Sequence, residues 1–384
     1  MPHNTFITGA ADTPVGRLPE HNCMSLQAAA ARVAIADAAL APADIDGLLA
    51  GYSFTQPHLM LASVFCEYMG LKPSFTTAVQ AGGATAATAV MLAAALVEAG
   101  MCRHVLVVTG DNRLTGLPPG GAAALLAQVG HPEFEQPYGL SVPAAYALIA
   151  RRYMHEYGVS PEELAAIAVT QREHAALHPH AHMRDRITIA DVMNSRAISE
   201  PLKLLDCCLV SDGAAAVVVS AKAASDSDRA QVAILGCGQG HTHEHISAAP
   251  SLTDFGCAAS ARQAFVRAGV EASDIDVAEI YDSFTITLAV ELESMGFFGK
   301  GMAGRAAASG ELSLGGSLPC NTHGGLLSYG HSGAAGGMFH VVEAVRQLRG
   351  AAGARQVAGA EVAFVHGDGG ILSAHCSLVL GRVQ

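Results

Sequence analysis

The sequence predicts a layered α/β fold built from two similar halves, with helices buried between sheets. Three observations carry this. Ala-rich helical segments alternate with short β-branched runs along most of the chain, as stacked helix and sheet layers require. One order of elements also occurs twice: a glycine-rich turn, an apolar helix, a strand and a Gly-Asp pair, over Gly83–Asp111 and again over Gly336–Asp368. Finally, 384 residues with 51% hydrophobic and only 15% charged side chains are ample for a large core and leave apolar surface for an oligomer interface.

The elements follow in order. "NCMSLQAAAARVAIADAAL" reads as a helix. The stretch Pro73–Val97 carries no charge and is long enough to cross a membrane. Gln80, Gly82, Gly83, four Thr and its Ala-rich character instead favour a buried helix from Gly82, stopped at Gly100. "HVLVVTGDN" (104–112) reads as a strand ending in a Gly-Asp turn. Residues 113–200 break the pattern with Pro118, Pro119, Pro132, Pro137, Pro143, Pro161, Pro179 and clustered His and Arg, and read as an inserted, partly helical lid. "DCCLVSDGAAAVVVSA" (206–221) returns to the core, and "QVAILGCGQG" (231–240) opens the second half. The expected organisation is residues 1–120 plus 201–225 as the first half, 121–200 as the insert, and 231–384 as the second half.

A net charge of −12 argues against nucleic acid or an anionic membrane surface as partner. The nine cysteines are odd in number, scattered and without a CxxC pair, which points to a reducing cytoplasm rather than disulfides or a cysteine zinc site. The N-terminus shows no basic region followed by an apolar run, so no signal peptide is expected. His241, His243 and His245 alternate and would share a face if extended, but no matching ligand pair accompanies them. No metal site is assigned.

"GGLLSYGHSGAAGG" (324–337), "EIYDSFTITLAVELESMG" (279–296), "QPYGLSVPAAYALIARRYMHEYG" and "SDGAAAVVV" together resemble the thiolase superfamily, in its sterol-carrier-protein or lipid-transfer type, over nearly the whole chain. The resemblance implies a five-layer αβαβα fold of two pseudo-twofold halves with an inserted loop region, and a dimer pairing through a strand of the first half, for which "CRHVLVVTGD" is the apolar candidate. The departures bear on function. Where thiolases carry their acyl-accepting Cys in Cys-x-Ser-Gly, this chain has "VQAGGATAA", with Gly83 at the nucleophile's place. Where they carry a second Cys in Cys-x-Gly-Gly, it has "VHGDGG" and His366; Cys376 lies beyond, in an apparent strand. Without a thiol at a helix start there is no obvious acyl-enzyme.

A subset of the superfamily shares these departures: aldolases that cleave a β-hydroxyacyl-CoA in steroid side-chain degradation, with a Tyr where Tyr281 stands and a small OB-fold partner bearing a zinc ribbon. The resemblance thus implies a retro-aldol lyase acting on an acyl-CoA without further cofactor. Such a cut needs a base for the β-hydroxyl and donors for the thioester oxygen. Tyr281 and His331 are the leading candidates. Tyr329, two residues from His331, would share its face on an extended turn, and His366 would stand at an acid/base position. Gly82 and Gly83, with Gly369 and Gly370, would offer backbone N–H donors. His323 and Asn321 are secondary candidates, with turn-stabilising hydrogen bonds as their alternative role; Asp282 more plausibly binds backbone. Arg172, Arg184 and Arg186 are weak candidates for CoA phosphates. Two other classes stay open: an acyltransferase using another cysteine such as Cys320, and a non-catalytic acyl-CoA carrier or complex subunit.

Overall fold

The computed structural model describes residues 5–222 and 230–383. Residues 1–4 and the expected boundary at 225 lie outside the described residues. Nine strands form the main ladder: β1 (Phe6–Asp12), β2 (Gly47–Gly51), β3 (Phe75–Val79), β4 (His104–Asn112), β5 (Asp212–Ser220), β6 (Gln231–His241), β7 (Val277–Ile280), β8 (Val362–Gly369) and β9 (Ala374–Val383). The order is β3-β2-β4-β5-β1-β6-β9-β8-β7. The halves mirror one another about the β1–β6 seam. β2 and β4 pair in parallel, then β5 and β1 join antiparallel; β7 and β8 pair in parallel, then β9 and β6 join antiparallel. The counterpart of β3 is reduced to one bridge between Ala278 and Cys320. The seam is narrow, a single residue pair, Phe6 with Ala233.

Eight helices of eight or more residues complete the described chain: α1 (Cys23–Asp37), α2 (Leu61–Met69), α3 (Thr85–Glu98), α4 (Val142–Tyr157), α5 (Pro161–Ala176), α6 (Cys257–Ala268), α7 (Thr285–Ser294) and α8 (Ala335–Leu348). Strand alternation sorts them into layers. Leu48, Leu106, Val108 and Val218 face α1 and α2, whereas Leu49, Val105, Val107 and Val217 face the central pair α3 and α8. In the second half Val365, Leu378 and Leu380 face that central pair, and Phe364 and Val379 face α4 to α7. Five layers result, with α3 and α8 in the middle, opened by Gly83 and Gly336. No helix of the described residues is long and apolar enough to cross a membrane; the uncharged stretch 73–97 is split into edge strand β3 and buried helix α3.

Local chemistry explains several boundaries. Asn22 caps α1 through Ser25 N, and Ser160 with Glu163 forms a capping box on α5, with Pro161 at its first position. The glycines of "GCGQG" (236–240) have a packing reason: a Cβ on Gly236, Gly238 or Gly240 would strike carbonyl oxygens of α6, so their absence lets that helix lie directly on β6.

One expectation is corrected here. The strand His104–Asn112 was the candidate for pairing between copies, yet it lies inside the sheet between β2 and β5, and Val105–Asn112 are buried. A nine-residue β-branched run between two parallel or antiparallel neighbours is apolar because both its faces are covered. The open edge of the first half is β3, whose Thr76, Thr77 and Ala78 are exposed.

Candidate active site

The site forms where the C-terminal ends of the parallel strands meet the starts of the two central helices, the crevice in which open α/β sheets bind ligands. Tyr281 is the first residue past β7, and its N–H continues the ladder by donating to the His366 carbonyl at 3.1 Å. Asp282 then fixes the opposing turn. Its carboxylate accepts from Leu326 N at 2.6 Å and Leu327 N at 3.3 Å. Gly325 must lack a side chain for this, since a Cβ there would enter the Asp282 carboxyl group, and its φ is +60°. So anchored, the turn delivers His331 beside Tyr281, with Tyr281 Oη and His331 Nε2 3.4 Å apart. The imidazole lies across Gly336 at the start of α8.

Gly83 sits against the same phenol. A Cβ on Gly83 would lie well under 3.0 Å from Tyr281 Cζ and Oη and from the Asp368 carbonyl oxygen. The Tyr281 hydroxyl therefore occupies the space that a side chain at the start of α3 would need. Gly82, at φ +55°, packs on Gly369 and on the N of Gly370, and a Cβ on Gly369 would strike the Ala81 carbonyl. The two glycine turns thus touch backbone to backbone and floor the site from both halves.

Sequence reasoning missed three neighbours. Arg113 follows β4, is 4% exposed, and lies with its guanidinium 5.1 Å from the centre of the Phe54 ring; its Nε has no hydrogen-bond partner. Its charge acts on Tyr281, His331, Cys208 and Tyr52. In the sequence, only its place two residues past the Gly-Asp pair that ends the first repeat sets it apart. Burial raises the Tyr281 phenol well above its ordinary pKa, with Tyr52 and Cys208 adding to the rise. Burial, then Arg113 and His340, hold the His331 imidazole well below its usual range. Both groups are neutral near pH 7. Burial pushes the Cys208 thiol up to about 12, so it is no thiolate.

Behind Tyr281 lies a buried polar network. Glu279 Oε1 accepts from Thr322 N and Oγ1 at 2.9 Å, and its Oε2 pairs with His323 Nδ1 at 2.9 Å. Burial opposes ionisation of Glu279, but the paired His323 holds its pKa at about 2. His340 bridges toward Asp282, Nε2 to Oδ1 at 3.7 Å; burial raises Asp282 to about 7. Asn321, at φ +53°, brackets Ile280 with both ends of its amide, Oδ1 accepting at 2.6 Å and Nδ2 donating at 2.8 Å. His323 and Asn321 thus brace β7 from behind.

Other expectations are corrected. Tyr329 and His331 do not share a face, because 325–329 coil into a wide helical turn and Gly330, at φ +147°, redirects the chain. The Tyr329 hydroxyl donates to Asp12 Oδ2 at 2.7 Å in the central core, where Arg346 also pairs with Asp12. His366 points away from Tyr281. Along β8 it is Gly367 that meets Gly83 and Ala84, so the adjacent His366 faces the outer layer, bonded to Ser377 and with its Nε2 3.2 Å from His375 Nδ1. His241, His243 and His245 do not act together: the first two reach the carbonyls of Ser373 and Ile371, and the third packs on His131. Arg172 is buried, donating to Ser328 Oγ and the Asp185 carbonyl. Cys320 is fully buried, with its thiol pushed well up by burial and by Glu279. Cys376, in contrast, packs in the central core, as its place in a strand implies.

Comparison with known proteins agrees with this architecture. The thiolase N-terminal domain family matches residues 5–223, and the thiolase C-terminal domain-like family matches 238–382. This chain belongs to the thiolase family. Among thiolase relatives it is 35% identical to the 17-hydroxy-3-oxo-4-pregnene-20-carboxyl-CoA lyase of Mycobacterium tuberculosis, over 98% of both chains. It is 33% identical to an acetyl-CoA acetyltransferase of Methanothermobacter thermautotrophicus, over 95% of this chain and 96% of the other. The solved Ltp2-ChsH2(DUF35) aldolase superposes with a TM-score of 0.86 at 34% identity, covering 99% of this chain and 98% of its own.

Proposed function

We propose that this thiolase-family chain is a carbon–carbon lyase that cleaves a β-hydroxyacyl-CoA by retro-aldol reaction, without an acyl-enzyme. The observation that carries the reading is the Tyr281 phenol filling the space beside Gly83. Likeness to a steroid-CoA lyase and to a solved aldolase supports it, and points to a bulky, steroid-like acyl group.

In this reading Tyr281 takes the β-hydroxyl proton as its own proton passes to His331 Nε2. The Cα–Cβ bond breaks, the ketone leaves, and the electron pair moves into the thioester as an enolate. Backbone N–H groups of Gly82, Gly83, Gly369 and Gly370 and the Arg113 charge stabilise that oxyanion. Arg113 also disfavours a lasting imidazolium, so the proton returns through Tyr281 to Cα, giving the shortened acyl-CoA. No cofactor enters these steps. Acyl transfer through Cys208 or Cys320 is the competing reading, and both thiols are raised by burial. The test is release of ketone from a β-hydroxyacyl-CoA with a tertiary β-carbon. Cys208→Ala and Cys320→Ala are expected to retain turnover within a few-fold; loss of turnover with either, together with a thioester adduct in the intact mass, would favour acyl transfer.

The active form is proposed to be a cytoplasmic homodimer paired through the exposed edge β3 and joined by a small OB-fold, zinc-ribbon partner. The two-component name of the solved aldolase supports a partner protein. Sedimentation velocity at micromolar concentration is expected to give twice the 39.3 kDa chain mass; a single monomer boundary would remove the dimer.

A further inference from the structure

Beneath the glycine floor lies a second polar cluster that the proposed reaction does not use. Glu291 projects from α7, His366 and Asp368 from one face of β8, and His375 from β9, in register opposite Asp368. All four are at most 1% exposed. Neither oxygen of Glu291 has a hydrogen-bond partner, and neither does Asp368 Oδ1; Asp368 Oδ2 accepts from Tyr146 at 3.0 Å. A buried carboxylate as poorly satisfied as Glu291 is costly unless a cation or a proton neutralises it.

The surrounding hydrogen bonds fix where the imidazole protons are. Ser260 donates its one hydroxyl proton to the Cys257 carbonyl. Ser377 must then donate to Ser260 Oγ, 2.9 Å away. Ser377 has no proton left for His366, so His366 Nδ1 is the donor across their 2.9 Å contact. His375 Nε2 faces the Leu372 carbonyl at 2.9 Å, and a carbonyl only accepts. In their neutral forms, both rings thus turn lone pairs toward one point. His366 Nε2 and His375 Nδ1 are 3.2 Å apart. Glu291 Oε1 is 3.4 Å from the first and 3.9 Å from the second, and Asp368 Oδ1 is 3.9 Å from His375 Nδ1. Donor atoms bound at about 2.0–2.2 Å around a tetrahedral ion lie roughly 3.3–3.6 Å apart. The spacings among Glu291, His366 and His375 bracket that edge.

We propose that Glu291, His366 and His375 bind one divalent first-row transition cation of the zinc class. Glu291, with Asp368 close behind His375, offsets its charge, the two neutral imidazoles complete a three-ligand N2O set that leaves a fourth position open, and Ser377 and Leu372 orient the rings as outer-shell partners do. The ion is enclosed, so it enters as the chain folds and ties α7, β8 and β9 together under the site.

The test uses the full chain, produced without an affinity tag in zinc-supplemented medium and purified without chelator. Elemental analysis is expected to find about one equivalent of a single divalent metal per chain. X-ray absorption at its edge should show a nitrogen/oxygen shell with imidazole scattering and no sulfur. Glu291→Gln and His375→Ala should each lower the content at least fivefold, while His243→Ala, in a histidine engaged elsewhere, should not. Should those variants fail to fold, the natural chain decides alone through its metal content and absorption spectrum. Less than about a tenth of an equivalent, a sulfur-containing shell, or full retention by folded Glu291→Gln and His375→Ala would overturn the proposal.

Discussion

Tyr281→Phe is expected to lower ketone release by about 10²–10⁴-fold, the usual effect of losing a general acid–base group. The substitution removes one oxygen and keeps a ring that is 5% exposed and packed against His331 and His340. Fold and substrate affinity should therefore stay close to those of the natural chain. A loss confined to kcat, with KM little changed, marks an interaction made in the transition state. Two arrangements make the hydroxyl hard to replace. It stands 3.4 Å from His331 Nε2, so the imidazole has no other route to the substrate proton. It also fills the space at the start of α3, and a water left there would not be held in the same position. Steady-state kinetics and circular dichroism on the same preparation check this. A folded Tyr281→Phe chain with near-natural turnover would end the role given to the phenol.

Gly83→Ala is expected to be the most damaging small substitution in the site. The added methyl must displace two things at once, the Tyr281 ring and the Asp368 carbonyl oxygen. A flexible side-chain end can swing away, but neither of these is one. Tyr281 is held by its ladder bond to His366, and Asp368 lies within β8. Overpacking usually costs about 1–3 kcal/mol, and a backbone clash places this case at or above the top of that range. The urea midpoint should fall accordingly, and activity should be lost because the phenol is displaced. Gly83→Cys should behave alike, so returning a thiol to this position would not restore acyl-enzyme chemistry. A stable Gly83→Cys chain that an acyl-CoA readily acylates would show that the site can hold both groups.

Much of this protein is written along the chain. The repeated order of glycine turn, helix, strand and Gly-Asp pair set the two halves and the two central helices, because periodicity, glycine stops and β-branched runs act locally. Gly83, Tyr281 and His331 could be named for the same reason: each sits at the end of an element whose bounds the sequence marks. Tertiary structure decided everything that depends on which face or edge a residue meets. The run at 104–112 is equally apolar as an edge or as an inner strand, and only its pairing with β2 and β5 made it inner. Tyr329 was assigned by extended geometry, but a coiled turn and the backbone of Gly330 sent it to Asp12. His366 alternates with Gly367, and the packing of Gly367 on α3 turned the imidazole outward. Arg113 and Cys208 come from loops far apart in sequence, so no local signal joins them to Tyr281. Adjacency along the chain is fixed by covalent bonds, whereas adjacency in the site is fixed by how two sheets close on a pair of helices.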